Sequence, residues 1–257
     1  MEMGARLVKT GWPLRWLGGA LLDLVFPPVC LSCDKAVATA DALCPECFRE
    51  LRPITAPLCP VLGLPFAASL GPDARSAEAI ADPPPFDRAR SAVTYNDVAR
   101  ALVGKLKYGD RPELARFCAR LMAQAGHELW GGDDAVLVPV PLHRVRHFSR
   151  RYNQSTELAR ALGTLTGLPV DPALVRRRRN TPHQVGLTGD ARRRNVAGAF
   201  AAHPDGLRRL RGRRVVLVDD VITTGATVKA VTKALKSGGA ERVDVVSFAR
   251  VVIGSDA

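Results

Sequence analysis

With 257 residues, 47% of them apolar, the chain has room for one large domain or two smaller ones around real cores. Nothing in it approaches the ~18 consecutive apolar residues of a membrane-spanning helix, so a cytoplasmic protein is expected. Its formal charge of +12 favours phosphorylated ligands, nucleic acid or an acidic partner, with a solvated basic face as the plain alternative. Only seven of the 37 basic residues are lysine, a skew that genome composition can produce, so arginine preference carries no weight.

The N-terminus imitates a signal peptide, with Lys9 and Arg15 ahead of the apolar stretch Trp16 to Phe26. Asp23 interrupts that stretch and no small-residue cleavage site follows. Leu14, Leu17, Leu21, Leu24 and Val25 fall at helical spacing, which predicts an amphipathic helix packed on the body. Five of the six cysteines come next: Cys30, Cys33, Cys44, Cys47 and Cys59. Clustering at C-x2-C spacing indicates metal binding in a reducing compartment rather than a disulfide scaffold. Cys30, Cys33, Cys44 and Cys47 form two knuckles that can close a tetrahedral structural Zn²⁺ site; a rubredoxin-like iron or a redox dithiol are the alternatives. Residues 1–66 therefore form an N-terminal helix and cysteine module. Residues 67–85 are rich in Ala, Pro, Ser and Asp, end in Asp82-Pro83-Pro84-Pro85, and are expected to be a stiff linker.

Residues 86–257 alternate strands and helices. Ala89 to Tyr95 is a predicted strand, and Asn96 caps a helix to about Lys107. Pro112 opens a second helix reaching about Leu129, with Cys118 inside it as a core thiol. Ala135 to Val140 is a short strand, followed by a basic loop and a helix from about Gln154 to Leu165. Asn153 either caps that helix or contacts ligand. Arg213 to Asp219 is a strand whose Val215-Val216-Leu217-Val218 run implies burial on both faces, as in a parallel sheet. The helix after Gly225 puts Val228, Val231, Ala234 and Leu235 on one face and stops at Gly238-Gly239. Arg242 to Val252 is the last strand, and the alternation makes an open α/β sheet. No internal repeat is legible.

Asp219 and Asp220 sit at the expected end of the buried strand, and a helix opens within a few residues. In open α/β sheets ligands bind at the carboxyl ends of the strands. Thr223-Thr224-Gly225-Ala226-Thr227 then offers free backbone N–H groups and a helix dipole to an anion. Two carboxylates would repel a phosphate unless they held something else. Ribose hydroxyls meet that need by donating to them, so the loop reads a ribose 5-phosphate. Neither G-x-x-x-x-G-K-[ST] nor a strand-linked G-x-G-x-x-G is present, which removes the nucleoside triphosphatase and Rossmann readings.

The run from Val215 to Thr227 resembles the phosphoribosyl-pyrophosphate signature of type I phosphoribosyltransferases. Val138-Pro139-Val140-Pro141-Leu142-His143 with Arg151-Tyr152-Asn153-Gln154, and Thr181-Pro182-His183-Gln184-Val185-Gly186-Leu187 followed by Arg192-Arg193-Arg194-Asn195, resemble the ComF family. So do Leu106-Lys107-Tyr108 and Phe26-Pro27-Pro28-Val29-Cys30, in the same order. The resemblance implies a type I phosphoribosyltransferase fold behind a small zinc ribbon, binding phosphoribosyl pyrophosphate with Mg²⁺. It also implies a link to DNA uptake in natural competence, with single-stranded DNA and competence proteins as further partners. On this reading Asp219 and Asp220 hold the ribose and residues 223–227 the 5′-phosphate. His143, Arg144 and Arg151, in a loop with Arg146 and Arg150, suit the pyrophosphate. Arg176 to Asn195 carries seven arginines and is expected to be a mobile lid, or else a solvated loop. The family pattern continues with a second set of paired cysteines, whereas this chain has Leu62 after Cys59. One zinc, not two, is therefore expected. The rival reading is a nucleic-acid- or protein-binding factor that keeps the fold without turnover; with aromatic residues at only 5%, no long base-stacking platform is evident.

Overall fold

A computed structural model describes residues 27–71, 73–108, 112–131, 135–142, 152–179, 189–210 and 214–252. The expected N-terminal helix, residues 143–151 of the basic loop and residues 180–188 lie outside the described residues.

Two short helices come first, α1 (Pro45–Glu50) in the cysteine module and α2 (Ala77–Ala81) in the segment after it. Then follow β1 (Arg88–Thr94), α3 (Asp97–Tyr108), α4 (Pro112–Ala125) and β2 (Ala135–Pro139). Next come α5 (Gln154–Thr166), β3 (Val175–Arg177), α6 (Gly189–Val196), β4 (Phe200–Ala202) and α7 (Pro204–Leu210). The chain closes with β5 (Arg214–Ile222), α8 (Ala226–Ser237) and β6 (Val243–Arg250). The sheet order is β1-β6-β5-β2, with every neighbouring pair parallel. Parallel pairing requires crossovers, and the helices supply them while covering both faces. This is the type I phosphoribosyltransferase architecture that the motifs imply.

The buried run of β5 explains its central place: Val215, Val216, Leu217 and Val218 are all inaccessible. Val216 and Val218 share a core with α3, α4 and α5, and Val215 and Leu217 share another with α8. Cys118 is fully buried in the first core, where desolvation pushes its thiol far above the usual range. Asn96 Oδ1 accepts from the Ala99 N–H at 3.0 Å, the expected cap of α3. The second helix is shorter than expected: α4 ends at Ala125, Gly126 follows, and His127–Leu129 forms a 3₁₀ turn. There the Trp130 indole closes back on the Ala123 carbonyl at 2.7 Å.

Residues 67–85 are not the plain stiff linker expected. Ser76 caps α2, with its Oγ accepting from Ala79 N–H at 3.4 Å, and both residues are buried. The N-terminal module lies along the outer edge of β1, whose backbone bonds to it through Ile54 N–H to Ala92 (2.9 Å), Thr94 N–H to Arg52 (2.9 Å) and Ala89 N–H to Val61 (2.8 Å). An open strand edge is thereby covered. Cys30, Cys44 and Cys47 join the α3–α4 core on one face, while Cys59, Leu62 and Ala79 join the α8 core on the other.

The expected lid is partly built into structure: Val175–Arg177 pairs antiparallel with Phe200–Ala202, and Gly189–Val196 is helical. Arg177 stacks on the Phe200 ring at 5.3 Å, and Arg179 donates to the Ala197 carbonyl at 2.6 Å. At the amino end of the sheet, the fully buried Asp244 receives Arg88 Nη2 at 3.1 Å, with Arg214 at 3.6 Å and Arg242 at 3.7 Å. No helix among the described residues is long and apolar enough to cross a bilayer.

Candidate functional site

The opposite, carboxyl end of β5 carries the acid pair. The strand does not stop there as expected. Asp219 pairs in register with Ser247, and pairing continues through Val221–Ala249 and Ile222–Arg250. The apolar run ends at Val218, but β6 continues alongside and extends the ladder to Ile222. Both acids are thus held by sheet geometry instead of loop geometry.

Asp219 is buried, and its Oδ1 accepts from Ser155 Oγ at 3.2 Å and from the Asp220 N–H at 3.0 Å. Asp220 Oδ1 accepts from the Val221 N–H at 2.8 Å, and its Oδ2 meets Lys107 Nζ at 3.1 Å. Burial, and then the neighbouring Asp220 carboxylate, push the Asp219 carboxyl up to about 8; its two hydrogen bonds and Lys107 pull the other way without prevailing. Among the described cations, Lys107 alone serves the two acids.

Ser155 and Lys107 are the residues that sequence reasoning missed in these roles. Lys107 stood in the Leu106-Lys107-Tyr108 motif without an assigned partner, and the last turn of α3 carries it to Asp220. Ser155 gave no signal; it reaches Asp219 because α5 starts beside the end of β2. Asn153 decides that start. Its Oδ1 accepts from the Ser155 N–H at 3.2 Å and its Nδ2 donates to the Val140 carbonyl at 3.0 Å. Of the two roles left open for Asn153, the fold shows the cap. The Tyr152 hydroxyl donates to the Leu106 carbonyl, tying this corner to α3. His143, Arg144 and Arg151 fall outside the described residues.

Past Ile222 the chain turns through Thr223, Thr224 and Gly225 into α8. Gly225 has φ +72°, the left-handed conformation that favours glycine, and no side chain caps the helix. A helix start of this kind is where backbone N–H groups can meet an anion. Asp219, Thr223, Gly225, Ala226 and Thr227 share the wall of one small pit, which brings one of the two acids beside the loop; Asp220 and Thr224 do not line it. Across Thr223–Gly225 lies a cavity of about 680 Å³ walled by Leu62, Leu64, Phe86, Tyr95 and Arg250. Arg250 donates Nη1 to the Leu62 carbonyl at 2.8 Å, its Nε is buried without a partner, and desolvation lowers it to about 10.

The cysteine cluster is a second, separate centre. The thiols of Cys30, Cys33, Cys44 and Cys47 lie within 4.8 Å of one another, with Cys33 and Cys44 at 3.6 Å. A tetrahedral Zn²⁺ with sulfurs at about 2.3 Å needs them about 3.8 Å apart, so the donor set and spacing fit a closed structural site. Cys44 is the N-cap of α1, and Cys30 Sγ accepts from the N–H groups of Cys44 (3.2 Å) and Ser32 (3.4 Å). Such donors stabilise thiolates. Cys59 stands outside the cluster.

Comparison with known proteins finds both domains. Residues 21–80 match the double zinc ribbon domain and residues 106–254 the phosphoribosyl transferase domain. The chain is 33% identical over 238 residues to the DNA utilization protein YhgH of Salmonella typhimurium, covering 89% of this chain and all of that one. It is 29% identical over 230 residues to competence protein F of Haemophilus influenzae (86% and 96% covered). Competence protein ComFC of Bacillus subtilis is 24% identical over 238 residues (86% and 92% covered). With a zinc ribbon module ahead of a phosphoribosyltransferase domain, and relatives of this kind along most of its length, the chain belongs to the ComF family.

Proposed function

We propose that the phosphoribosyltransferase domain binds phosphoribosyl pyrophosphate with Mg²⁺ in the cytoplasm, in a protein that serves DNA uptake or utilization. The observation that carries this reading is the convergence of a paired, under-compensated carboxylate with an uncapped helix start at the end of the central strand. Asp219 and Asp220 accept hydrogen bonds from the ribose hydroxyls, and the backbone of residues 223–227 takes the 5′-phosphate. His143, Arg144 and Arg151 are assigned to the pyrophosphate on sequence grounds. The cavity behind Thr223–Gly225 suits an acceptor molecule. Mg²⁺, carried on the pyrophosphate, would neutralise the leaving group.

In the transfer that this arrangement supports, the C1–oxygen bond to pyrophosphate breaks and a C1–nitrogen bond forms, the nitrogen losing its proton. Catalysis would rest on positioning and charge stabilisation, and no side chain is assigned as a general base. The names of the relatives and the charge of +12 favour a second reading, a nucleic-acid-binding factor without turnover.

One double variant tests both. Asp219→Asn plus Asp220→Asn keeps shape and removes charge. Each charge-assisted bond is worth about 1.5–3 kcal/mol, so phosphoribosyl pyrophosphate affinity should fall on the order of a hundredfold or more by calorimetry. Equal binding by both proteins would remove the ribose assignment. Single-stranded DNA affinity should stay the same or rise slightly, because phosphate attraction governs it. If transformation survives loss of the ligand site, the enzyme reading gives way to the scaffold.

A further inference from the structure

The sequence shows no repeat, yet the backbone contains one. In the first knuckle Cys30 N–H bonds to Lys35 (2.7 Å), Asp34 N–H to Cys30 (3.1 Å) and Val37 N–H to Pro28 (2.9 Å). Residues numbered 29 higher repeat the pattern: Cys59 N–H to Leu64, Gly63 N–H to Cys59 and Phe66 N–H to Pro57, each at 2.8 Å. The antiparallel bridges Val29–Ala36 and Leu58–Pro65 match as well. So does the left-handed residue, Asp34 at φ +62° and Gly63 at φ +64°. Glycine is required in the second copy, since a Cβ at Gly63 would lie 2.3 Å from the Ala89 carbonyl oxygen.

The second arm of each knuckle corresponds too. Cys44 N–H donates to Cys30 Sγ at 3.2 Å and Cys47 N–H to Cys44 Sγ at 3.5 Å. Their counterparts are Ser76 N–H to Cys59 Sγ and Ala79 N–H to Ser76 Oγ, both at 3.4 Å. Cys44 caps α1 as Ser76 caps α2. The ligand positions of the second copy are thus Cys59, Leu62, Ser76 and Ala79, all buried.

That set does not fit the metal that a double ribbon implies. Zn²⁺ needs four nitrogen, sulfur or oxygen donors, and two of these side chains are hydrocarbon. We infer that residues 57–81 are a second ribbon that has exchanged its metal for a hydrogen-bonded thiol and an apolar plug, so that the chain binds one metal and its two ribbons fold on different terms. Cys59 Sγ takes the central place, accepting from the N–H groups of Leu62 and Ser76 at 3.4 Å each. Burial opposes its ionisation, but these donors outweigh burial and hold the thiol below its ordinary range. Leu62 and Ala79 fill the rest of the site and pack with Phe86 and Ala89 in the core under α8. The metal-free ribbon is also the one that walls the cavity beside the phosphate loop and anchors Arg250. The inference stands independently of what that cavity binds.

Metal analysis of the full chain tests it. Wild type should hold one equivalent of zinc, Cys44→Ser plus Cys47→Ser none, and Cys59→Ala one. Leu62→Cys plus Ser76→Cys plus Ala79→Cys should raise the content to two, with a doubled thiolate charge-transfer band after Co²⁺ substitution. Two equivalents in wild type, or loss of metal from Cys59→Ala, would overturn the inference, as would one equivalent in a folded triple variant. If the triple variant does not fold, the counts for wild type and Cys59→Ala decide alone. Chelation followed by hydrogen exchange should expose residues 28–50 while residues 57–66 stay protected, and simultaneous exposure of both would count against separate folding terms.

Discussion

The two ends of one sheet treat aspartate in opposite ways. At the amino end Asp244 on β6 is surrounded by Arg88, Arg214 and Arg242, and Arg88 reaches it through both Nε and Nη2. At the carboxyl end, on the neighbouring strand, Asp219 and Asp220 share Lys107 alone among the described cations. The first arrangement spends its charge on holding strands together. The second pairs one acid with a lysine, while burial and the neighbouring carboxylate hold the other's carboxyl well above its usual range. Among the described residues, compensation therefore separates these aspartates more sharply than burial does, since Asp244 and Asp219 are both buried.

Removing charge should accordingly have opposite consequences at the two ends. The largest effect belongs to Asp244→Ala, which removes the fully buried carboxylate that the buried Arg214 and the part-exposed Arg88 share, and should cost about 3–5 kcal/mol in urea unfolding. A loss below about 1 kcal/mol would mean that the arginines find water instead, and the contrast between the ends would fail.

A pH titration sharpens the comparison from the other end. Because the Asp219 pKa is raised, the folded protein keeps a proton that the unfolded chain releases near pH 4. The contribution of this group to stability is thus complete below about pH 4 and is lost as pH rises to about 8. Ligand hydroxyls need the ionised form, so phosphoribosyl pyrophosphate affinity should climb by up to about tenfold per pH unit approaching pH 8. Calorimetry in buffers of different ionisation enthalpy should show proton release on binding. Asp219→Asn should flatten the climb, and a slope retained in that variant would move the titration to another group.

The smallest effect is expected of Ser155→Ala. It removes one hydrogen bond from the charged form of Asp219 and should cost about 0.5–1.5 kcal/mol of ligand affinity. The affinity–pH profile should shift to higher pH at the same time. A drop in affinity without that shift would assign Ser155 a packing role only.

Much of this was legible in the chain itself. The Val215–Val218 run announced a strand buried on both faces because no amphipathic period interrupts it. Asn96, Pro112, Gly225 and Gly238 marked helix ends because each meets a local backbone need. The two C-x2-C knuckles marked the thiol cluster because their ligands are close in sequence. What only the tertiary structure decided involves partners far apart in the chain. Ser155 reaches Asp219 across 64 positions and Arg88 reaches Asp244 across 156. The end of β5 was misplaced because pairing with β6, not apolar character, carries it to Ile222. Of the second ribbon the sequence showed only Cys59 and the missing cysteine at Leu62. A metal knuckle is recognised by its ligands, and once Leu62, Ser76 and Ala79 replaced three of them, only backbone hydrogen bonds kept the pattern.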